Sequence, residues 1–189
     1  MHVVTHVLMG WMLADQARLQ GRDRALVAWA SVVPDADGAG VAIDAANHLL
    51  GRTDTSYYEI YHHAVGHGLA AAVLYTLLAV CIAQRKAWVA TMAFVSFHLH
   101  LLCDVLGSRG SSPLDIWVIP YLSPFSDSFI LSWNGQWPLT GWQNTAITCA
   151  LLALTLIQAV RTGSSPVSLF SARADARFVA TLRARFQKR

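Results

Sequence analysis

The stretch AWVATMAFVSFHLHLLCD, residues 87–104, decides the architecture of this chain. Most of it is an uncharged apolar run of bilayer-crossing length, which takes roughly 17–25 residues. Its end nevertheless places His98, His100 and Asp104 among leucines. An ionisable side chain within hydrocarbon is costly unless it is paired. The stretch therefore predicts a membrane helix whose end serves a polar site.

The whole chain has the composition of a membrane protein. It has 189 residues, of which 54% are hydrophobic and 13% are charged, about half of the roughly 25% charged residues typical of soluble domains. Residues 64–83 and 142–160 are two further uncharged runs of sufficient length. A shorter apolar run, residues 1–14, lacks the basic segment and cleavage site of a signal peptide. The predicted fold is all-α, a multi-pass membrane helical bundle.

We divide the chain into a membrane-embedded domain, residues 1–160, and a basic tail, residues 161–189. The tail contains half of the Lys and Arg residues, and Phe178, Leu182 and Phe186 recur at every fourth position. This pattern predicts a basic amphipathic helix on an anionic membrane surface. Membrane lipids are therefore the expected partners. Nucleic acid is not expected, because no known binding motif is present, and the oligomeric state stays open.

The charges in the loops predict which polar residues meet. Arg and Lys in short loops mark the cytoplasmic side, which places the loop 84–86 and the tail there. Because that loop is short, runs 64–83 and 87–104 are antiparallel neighbours, and their other ends lie together on the opposite, periplasmic side. Those ends carry the histidines His62, His63 and His67 on one run, and His100 and Asp104 on the other.

The residue types at these ends favour a metal site built from helix ends and loops. His100 and Asp104 are four residues apart, so they share a helix face, whereas His98 lies about 160° away and faces elsewhere. Imidazole and carboxylate together suit Zn²⁺, Mn²⁺ or Fe²⁺ better than Ca²⁺ or Mg²⁺. Since Cys103 is the one thiol nearby, an open catalytic site is favoured over a closed structural zinc site.

The segment VVPDADG, residues 32–38, offers further carboxylates. Pro34 is expected to end a short helix over residues 24–33, with Asp35 and Asp37 in the following loop. The alternative is a helix stop followed by solvated turn aspartates.

Four motifs occur in order along the chain: TH (5–6), PDAD (34–37), HHAVGHG (62–68) and HLLCD (100–104). Together with the loop SRGSSPLDIWVIPYLSPFS (108–126), they resemble the membrane-bound metal-dependent hydrolases, the YdjM-like bacterial inner-membrane proteins. The resemblance covers about residues 1–160, and that family is distantly similar to zinc-dependent phospholipase C, an all-helical phosphodiesterase. The resemblance implies a set of metal ligands: His6, Asp35, His62, His67, His100 and Asp104.

The chain departs from the family pattern at three positions. His63, Gly66 and Gly68 stand where the pattern has Arg, Thr and Ser. Hydrogen bonds from those groups to ligands or substrate are therefore missing or changed in this chain.

The leading hypothesis is a phosphoester hydrolase, with a phospholipid headgroup as an example of the substrate, that uses one or two divalent metals. Zn²⁺ is preferred, with Mn²⁺ or Fe²⁺ as alternatives. One metal would be bound by His100, Asp104, His62 and Asp35; a second would be bound by His6 and His67, with Asp35 bridging.

Two further residues complete this hypothesis. Asp37 would orient a water or an imidazole, and Arg109 would hold phosphate by bidentate hydrogen bonds. The alternative is a non-catalytic metal-binding or metal-transport protein. Transport is disfavoured because the run 69–83 offers only Tyr75 and Thr76 as notably polar residues.

Overall fold

The computed structural model describes residues 1–53, 55–62 and 65–186 and shows a mostly helical protein. His63, one of the departures from the family pattern, and the last three residues of the predicted tail lie outside the described residues. The helices are α1 (Val3–Gln16), α2 (Gly21–Ala30), α3 (Gly40–Leu49), α4 (Tyr57–Tyr61), α5 (Leu69–Ile82), α6 (Lys86–Gly107), α7 (Trp142–Thr162) and α8 (Ala172–Phe186). Short 3-10 helices cover Val33–Ala39 and Pro166–Leu169. Strands β1 (Ile119–Pro120) and β2 (Ile130–Leu131) pair antiparallel.

Among the described residues, two individual helices, α6 and α7, are long and apolar enough to cross a membrane. The pair formed by α2 and residues Val33–Leu49 passes the same test together, with a bend of 56°. The prediction that residues 64–83 form one spanning helix is wrong, because α5 has only 14 residues. The backbone before α5 is extended at Gly68. At Gly66 the backbone N–H donates to the Asp37 carboxylate and not to a helix carbonyl.

The predicted helix over residues 24–33 is also corrected. α2 ends at Ala30, and Pro34 lies in the first turn of the 3-10 helix Val33–Ala39 rather than just after an α-helix. Proline suits the first turn of a helix because its missing N–H has no partner there. Asp35 and Asp37 therefore lie in a 3-10 helix and not in an open loop.

The helices α1 and α2 approach very closely at Gly10. A Cβ at this position would lie 2.1 Å from Ser31 Oγ and 2.7 Å from the Ala28 carbonyl oxygen. The buried Ser31 hydroxyl lies 2.7 Å from the His6 carbonyl oxygen, which ties the two helices together. Small residues at such crossings let membrane helices come into backbone contact. This contact fixes the position of His6 relative to the end of α2.

At the end of the protein opposite the HLLCD motif, buried acidic side chains anchor the helix termini. Asp23 accepts the backbone N–H groups of Gln84 and Arg85, both at 2.9 Å, at the start of α6. Asp15 contacts Gln158 at 2.7 Å and Arg24 at 3.1 Å, which joins α1, α2 and α7. Carboxylates at a helix N-terminus are favoured by the helix dipole.

The tail helix α8 packs against the end of α7. Arg183 Nε donates to the Val160 carbonyl oxygen at 2.9 Å, and Asp175 accepts the Ser165 N–H at 2.9 Å. Val179 is buried, whereas Phe178 is 37% and Phe186 is 71% exposed. The predicted tail helix is thus present, with part of its apolar face directed outward.

The loops between α6 and α7 are fixed by two buried side chains and one backbone contact. Asn144 Nδ2 donates to the carbonyl oxygens of Gly107 and Leu139, each at 2.8 Å. Gln136 pairs with the backbone of Trp117 on both of its amide atoms. The Tyr121 carbonyl accepts the first N–H of α5, from Leu69, at 2.7 Å. These contacts close the same end of the protein that carries His100 and Asp104.

We expect Gly10→Ala to lower the free energy of unfolding by about 1–3 kcal/mol, the usual cost of overpacking. The added methyl group has to push Ser31 and Ala28 away from α1. Thermal unfolding in mild detergent measures the effect. Ala180→Ser on the exposed side of α8 is the control. A Gly10→Ala variant as stable as the control would show that the close approach is not required.

Candidate metal centre

Four side chains from three segments converge into a buried cluster: Asp35, His67, His100 and Asp104. Each offers one ligand atom, and these atoms all lie within 4.8 Å of one another. His100 Nε2 is 2.9 Å from Asp104 Oδ2, and His67 Nε2 is 3.5 Å from the same oxygen. Asp35 Oδ1 is 3.7 Å from His100 Nε2 and 4.0 Å from His67 Nε2. Because His100 and Asp104 are four residues apart on one helix, their side chains lie on the same face and contact each other.

Hydrogen bonds at the outer ring nitrogens orient both imidazoles. His100 Nδ1 lies 2.9 Å from the Ser31 carbonyl oxygen, and His67 Nδ1 lies 3.0 Å from Asp37 Oδ2. A carbonyl or carboxylate oxygen only accepts, so each Nδ1 carries the hydrogen. In the neutral rings, the lone pairs are then on the Nε2 atoms, which face the cluster. This is the arrangement that supports histidine ligands in metal sites.

The distance between these two nitrogens fits a metal ion. His67 Nε2 and His100 Nε2 are 3.1 Å apart, and two neutral lone pairs at that distance repel. Two imidazoles on one tetrahedral zinc have nitrogens about 3.3 Å apart, given Zn–N bonds of about 2.0–2.1 Å. A cation between the rings would also offset the two carboxylates.

Without a metal ion, a proton bound to His67 offsets the carboxylate charges instead. Burial by itself would lower the pKa of His67, but its contacts with Asp104 and Asp37 outweigh burial and raise the pKa to about 9. A metal ion therefore has to displace this proton, and neutral imidazole is the form that binds it.

His6 lies beside the cluster on α1. Its ring stacks on His100 with centroids 3.9 Å apart, and its Nε2 is 3.3 Å from Asp104 Oδ1. The ring is fully buried, and neither nitrogen makes a hydrogen bond within the described residues. Burial lowers the pKa of His6 and keeps the ring neutral. Asp35 Oδ2 is likewise buried without a hydrogen bond, and such orphaned polar atoms at one place are expected where an ion binds.

The Asp104 carboxylate also contacts the α-amino group of Met1, which in turn lies 2.9 Å from Ser108 Oγ. Asp104 Oδ1 thus meets Met1 and His6, and Oδ2 faces His67 and His100.

The structure divides the histidines differently from the sequence hypothesis. His67, and not His62, groups with Asp35, His100 and Asp104. His62 lies on the far side of Asp37, with its Nδ1 2.9 Å from Asp37 Oδ1. Asp37 thus holds His62 with one oxygen and His67 with the other, and it stands behind the cluster as a positioning residue.

The two glycines around His67 have a role that the sequence did not reveal. A Cβ at Gly66 would lie 2.4 Å from the Pro34 carbonyl oxygen, and the Gly66 N–H donates to Asp37 at 2.8 Å. A Cβ at Gly68 would lie 3.1 Å from the carbonyl oxygens of Tyr121 and Ser123. Backbone groups therefore approach the chain closely on both sides of His67. The signal in the sequence was the pair of glycines flanking one histidine.

Arg109 and His98 lie elsewhere. The backbone of Arg109 pairs with Trp137 and Leu139, and its Nε is buried without a hydrogen bond within the described residues. The residue of this turn that lines the cavity beside the cluster is Ser108. His98 Nε2 lies 2.8 Å from the Tyr121 hydroxyl, which confirms that it faces away.

A cavity of about 430 Å³ opens beside the cluster. Its polar part is formed by Asp35, Asp104, His62, His2 and Ser108. The rest of the wall is apolar or aromatic and includes Val3, Ala39, Val41, Tyr58, Trp117 and Leu139. The cluster is therefore reached from outside and is not sealed in the core.

Apolar helices of spanning length and a buried His/Asp cluster at their ends define this chain as a membrane protein with a polar site. Residues 1–182 match the model of the YdjM inner membrane protein family, and the chain belongs to that family. Neither the curated proteins nor the solved structures gave a match. The family and the apolar helices place the protein in the inner membrane.

We expect His100→Ala to remove most of the bound divalent metal from protein purified in mild detergent, because His100 Nε2 lies in the cluster. His98→Ala is the matched control, since His98 is on the same helix but bonds Phe94 and Tyr121. Elemental analysis of both variants measures the metal per chain. Equal metal content in the two variants would exclude the cluster as the metal site.

Proposed function

We propose that the protein is a membrane-bound metal-dependent hydrolase acting on phosphoesters. Asp35, His67, His100 and Asp104 would hold the metal, with His6 as a neighbouring ligand. Two imidazoles with two carboxylates favour Zn²⁺, with Mn²⁺ or Fe²⁺ as alternatives. When bound, the metal would polarise the phosphoryl oxygen and lower the pKa of a water to about 7.

One observation carries this proposal: three buried ligand residues and the partly buried Asp35 converge beside an open cavity. Structural zinc sites are closed by four protein ligands, whereas catalytic sites keep a position for water or substrate. A cavity of about 430 Å³ is within the size range of small-molecule sites. Its position next to the cluster favours chemistry over a purely structural metal.

The surrounding residues would perform the supporting tasks. The Ser31 carbonyl and the Asp37 carboxylate keep His100 and His67 in the tautomer that binds metal. The apolar wall of Val41, Tyr58 and Trp117 would exclude bulk water and accept an apolar part of the substrate. An amphipathic phosphoester, such as a phospholipid at its headgroup, fits a wall of this kind.

Metal transport is less well supported. About one turn along the same helices from His6 and His100, Trp11 on α1 and Phe97 on α6 are fully buried. Further along, a core cluster that includes Val27, Ala79 and Ala93 fills the space between α2, α5 and α6. A transport path would need polar groups through this depth. A non-catalytic metal site remains the alternative that the activity test below addresses.

For the membrane arrangement, we propose a multi-pass topology in which α6, α7 and the bent α2–α3 pair cross the bilayer, and the shorter apolar helix α5 returns the chain from the side of the metal site to the loop 84–86. The loop 84–86 and α8 would then be cytoplasmic and the metal site periplasmic. Arg173, Arg177 and Arg185 are exposed on α8, as is Phe186. This surface would bind anionic lipid headgroups, with its aromatic side chains at the interface.

Protein with a full complement of zinc should hydrolyse bis(4-nitrophenyl) phosphate, and Asp35→Asn should reduce that rate at least about 100-fold, a loss typical of essential catalytic groups. Asp127→Asn removes a carboxylate on an exposed loop and is the control. Metal content is measured on the same preparations. Wild-type protein that holds metal but cleaves no phosphoester would favour the non-catalytic alternative.

Topology can be tested with single cysteines in a variant whose native cysteines are replaced. Arg85→Cys should resist a membrane-impermeant thiol reagent in intact cells and react after lysis, while Ser112→Cys should react in intact cells. Both positions are exposed, so access depends on the side of the membrane. The opposite labelling pattern would place the metal site at the cytoplasmic face.

A further inference from the structure

His62 stands in the wall of the cavity and not in the metal cluster. Its side chain is 11% exposed, and it lines the cavity together with Asp35 and Asp104. Its Nδ1 lies 2.9 Å from Asp37 Oδ1. Asp37 therefore connects one histidine that faces the metal cluster with another that faces the place where a substrate would lie.

The surroundings of His62 fix its ring. The ring stacks on Tyr58 with centroids 4.6 Å apart and meets Trp117 edge-on at 5.5 Å. A Cβ at Gly38 would lie 3.0 Å from His62 Nδ1, so the absence of a side chain at Gly38 lets the ring approach the 3-10 helix. A ring held on both sides in this way keeps one orientation relative to the cavity.

The hydrogen bond to Asp37 sets the chemistry of the ring. A carboxylate accepts, so His62 Nδ1 carries a hydrogen, and the proton that the ring exchanges is the one on Nε2. A carboxylate at Nδ1 also holds the orientation of the ring, as in catalytic triads. These are the properties of a histidine that transfers a proton to or from a substrate.

We propose that His62 is the general acid of the hydrolysis, oriented by Asp37, and that it is not a metal ligand. This inference rests on the proposed phosphoester hydrolysis. His62 Nε2 donates its proton to the leaving oxygen as the bond between phosphorus and that oxygen breaks. The attacking water adds its oxygen to phosphorus, and the proton it releases returns His62 to the imidazolium form. One water is consumed for each ester cleaved, and no electron is transferred.

A second metal bound between Asp37, His62 and His67 is the competing assignment, since these three side chains also lie close together. In this arrangement, however, both rings direct Nδ1 at the same carboxylate. A metal there would have to replace both of these hydrogen bonds and the support that Asp37 gives to His67. The metal content of a His62 variant separates the two assignments.

The test uses zinc-loaded protein and a series of aryl methyl phosphates from the 4-nitrophenyl to the phenyl ester. A good leaving group departs without protonation, whereas a poor one needs the acid. His62→Gln should therefore lose about 100-fold or more on the phenyl ester but less than about fivefold on the 4-nitrophenyl ester. Its metal content should equal that of wild type. His98→Gln, the control, should change neither quantity.

Three results would overturn the assignment. Loss of metal in His62→Gln would make His62 a ligand. Equal loss on both esters, with metal retained, would exclude a role at the leaving group. A steep dependence of the wild-type rate on the leaving group would show that no acid assists, and this measurement needs no variant. If metal-loaded wild type cleaves none of the esters, the proposed function itself fails, and the inference with it; failure of the inference alone leaves wild-type turnover intact.

Discussion

The structure depends on the neutralisation of one buried carboxylate. Asp104 is 3% exposed, near the end of the apolar helix α6. A buried charge without a partner destabilises a protein by several kcal/mol. Three histidines from different segments surround this group, and the amino group of Met1 meets one of its oxygens. The requirement to pair Asp104 therefore draws α1, the start of α5 and the end of α6 to one point.

The same requirement explains why the helices around the site are short or bent. Ser31, just after α2, holds His100 with its carbonyl oxygen, and the chain then turns into a 3-10 helix that presents Asp35 and Asp37. Before α5, the backbone at Gly66 is used to bind Asp37 rather than to continue a helix. Residues that would otherwise have lengthened apolar helices thus supply the polar contacts of the site. Irregular backbone at membrane depth is tolerated where it is buried in protein or lines a cavity.

The two aspartates of the PDAD motif have different surroundings although only one residue separates them. Asp35 faces the cluster and leaves one oxygen without a hydrogen bond among the described residues. Asp37 accepts hydrogen bonds from both His62 and His67 and from the Gly66 backbone. An unsatisfied carboxylate is available to a cation, whereas a satisfied one orients its neighbours. In the proposed mechanism, this difference separates the residue that binds from the residue that positions.

The sequence by itself determined the membrane character, the helical class and the residues that the structure groups into the His/Asp cluster. Apolar runs of α6 and α7 are long enough to be recognised without a structure, and the spacing of His100 and Asp104 follows from helix geometry. Local spacing could not determine which histidine joins which carboxylate, because His62 and His67 belong to a segment whose path is set by contacts with Asp37 and Pro34.

Only the tertiary structure showed that α5 begins at Leu69, that Gly66 and Gly68 make room for neighbouring carbonyl groups, and that Ser108 rather than Arg109 reaches the cavity. Each of these features depends on backbone groups far apart in the chain that approach within a few ångströms. Hydrophobic periodicity reports which faces of a helix are buried, but it carries no information on such approaches. The sequence therefore identifies which polar residues are candidates for the cluster, and only the packed chain shows which of them contact one another.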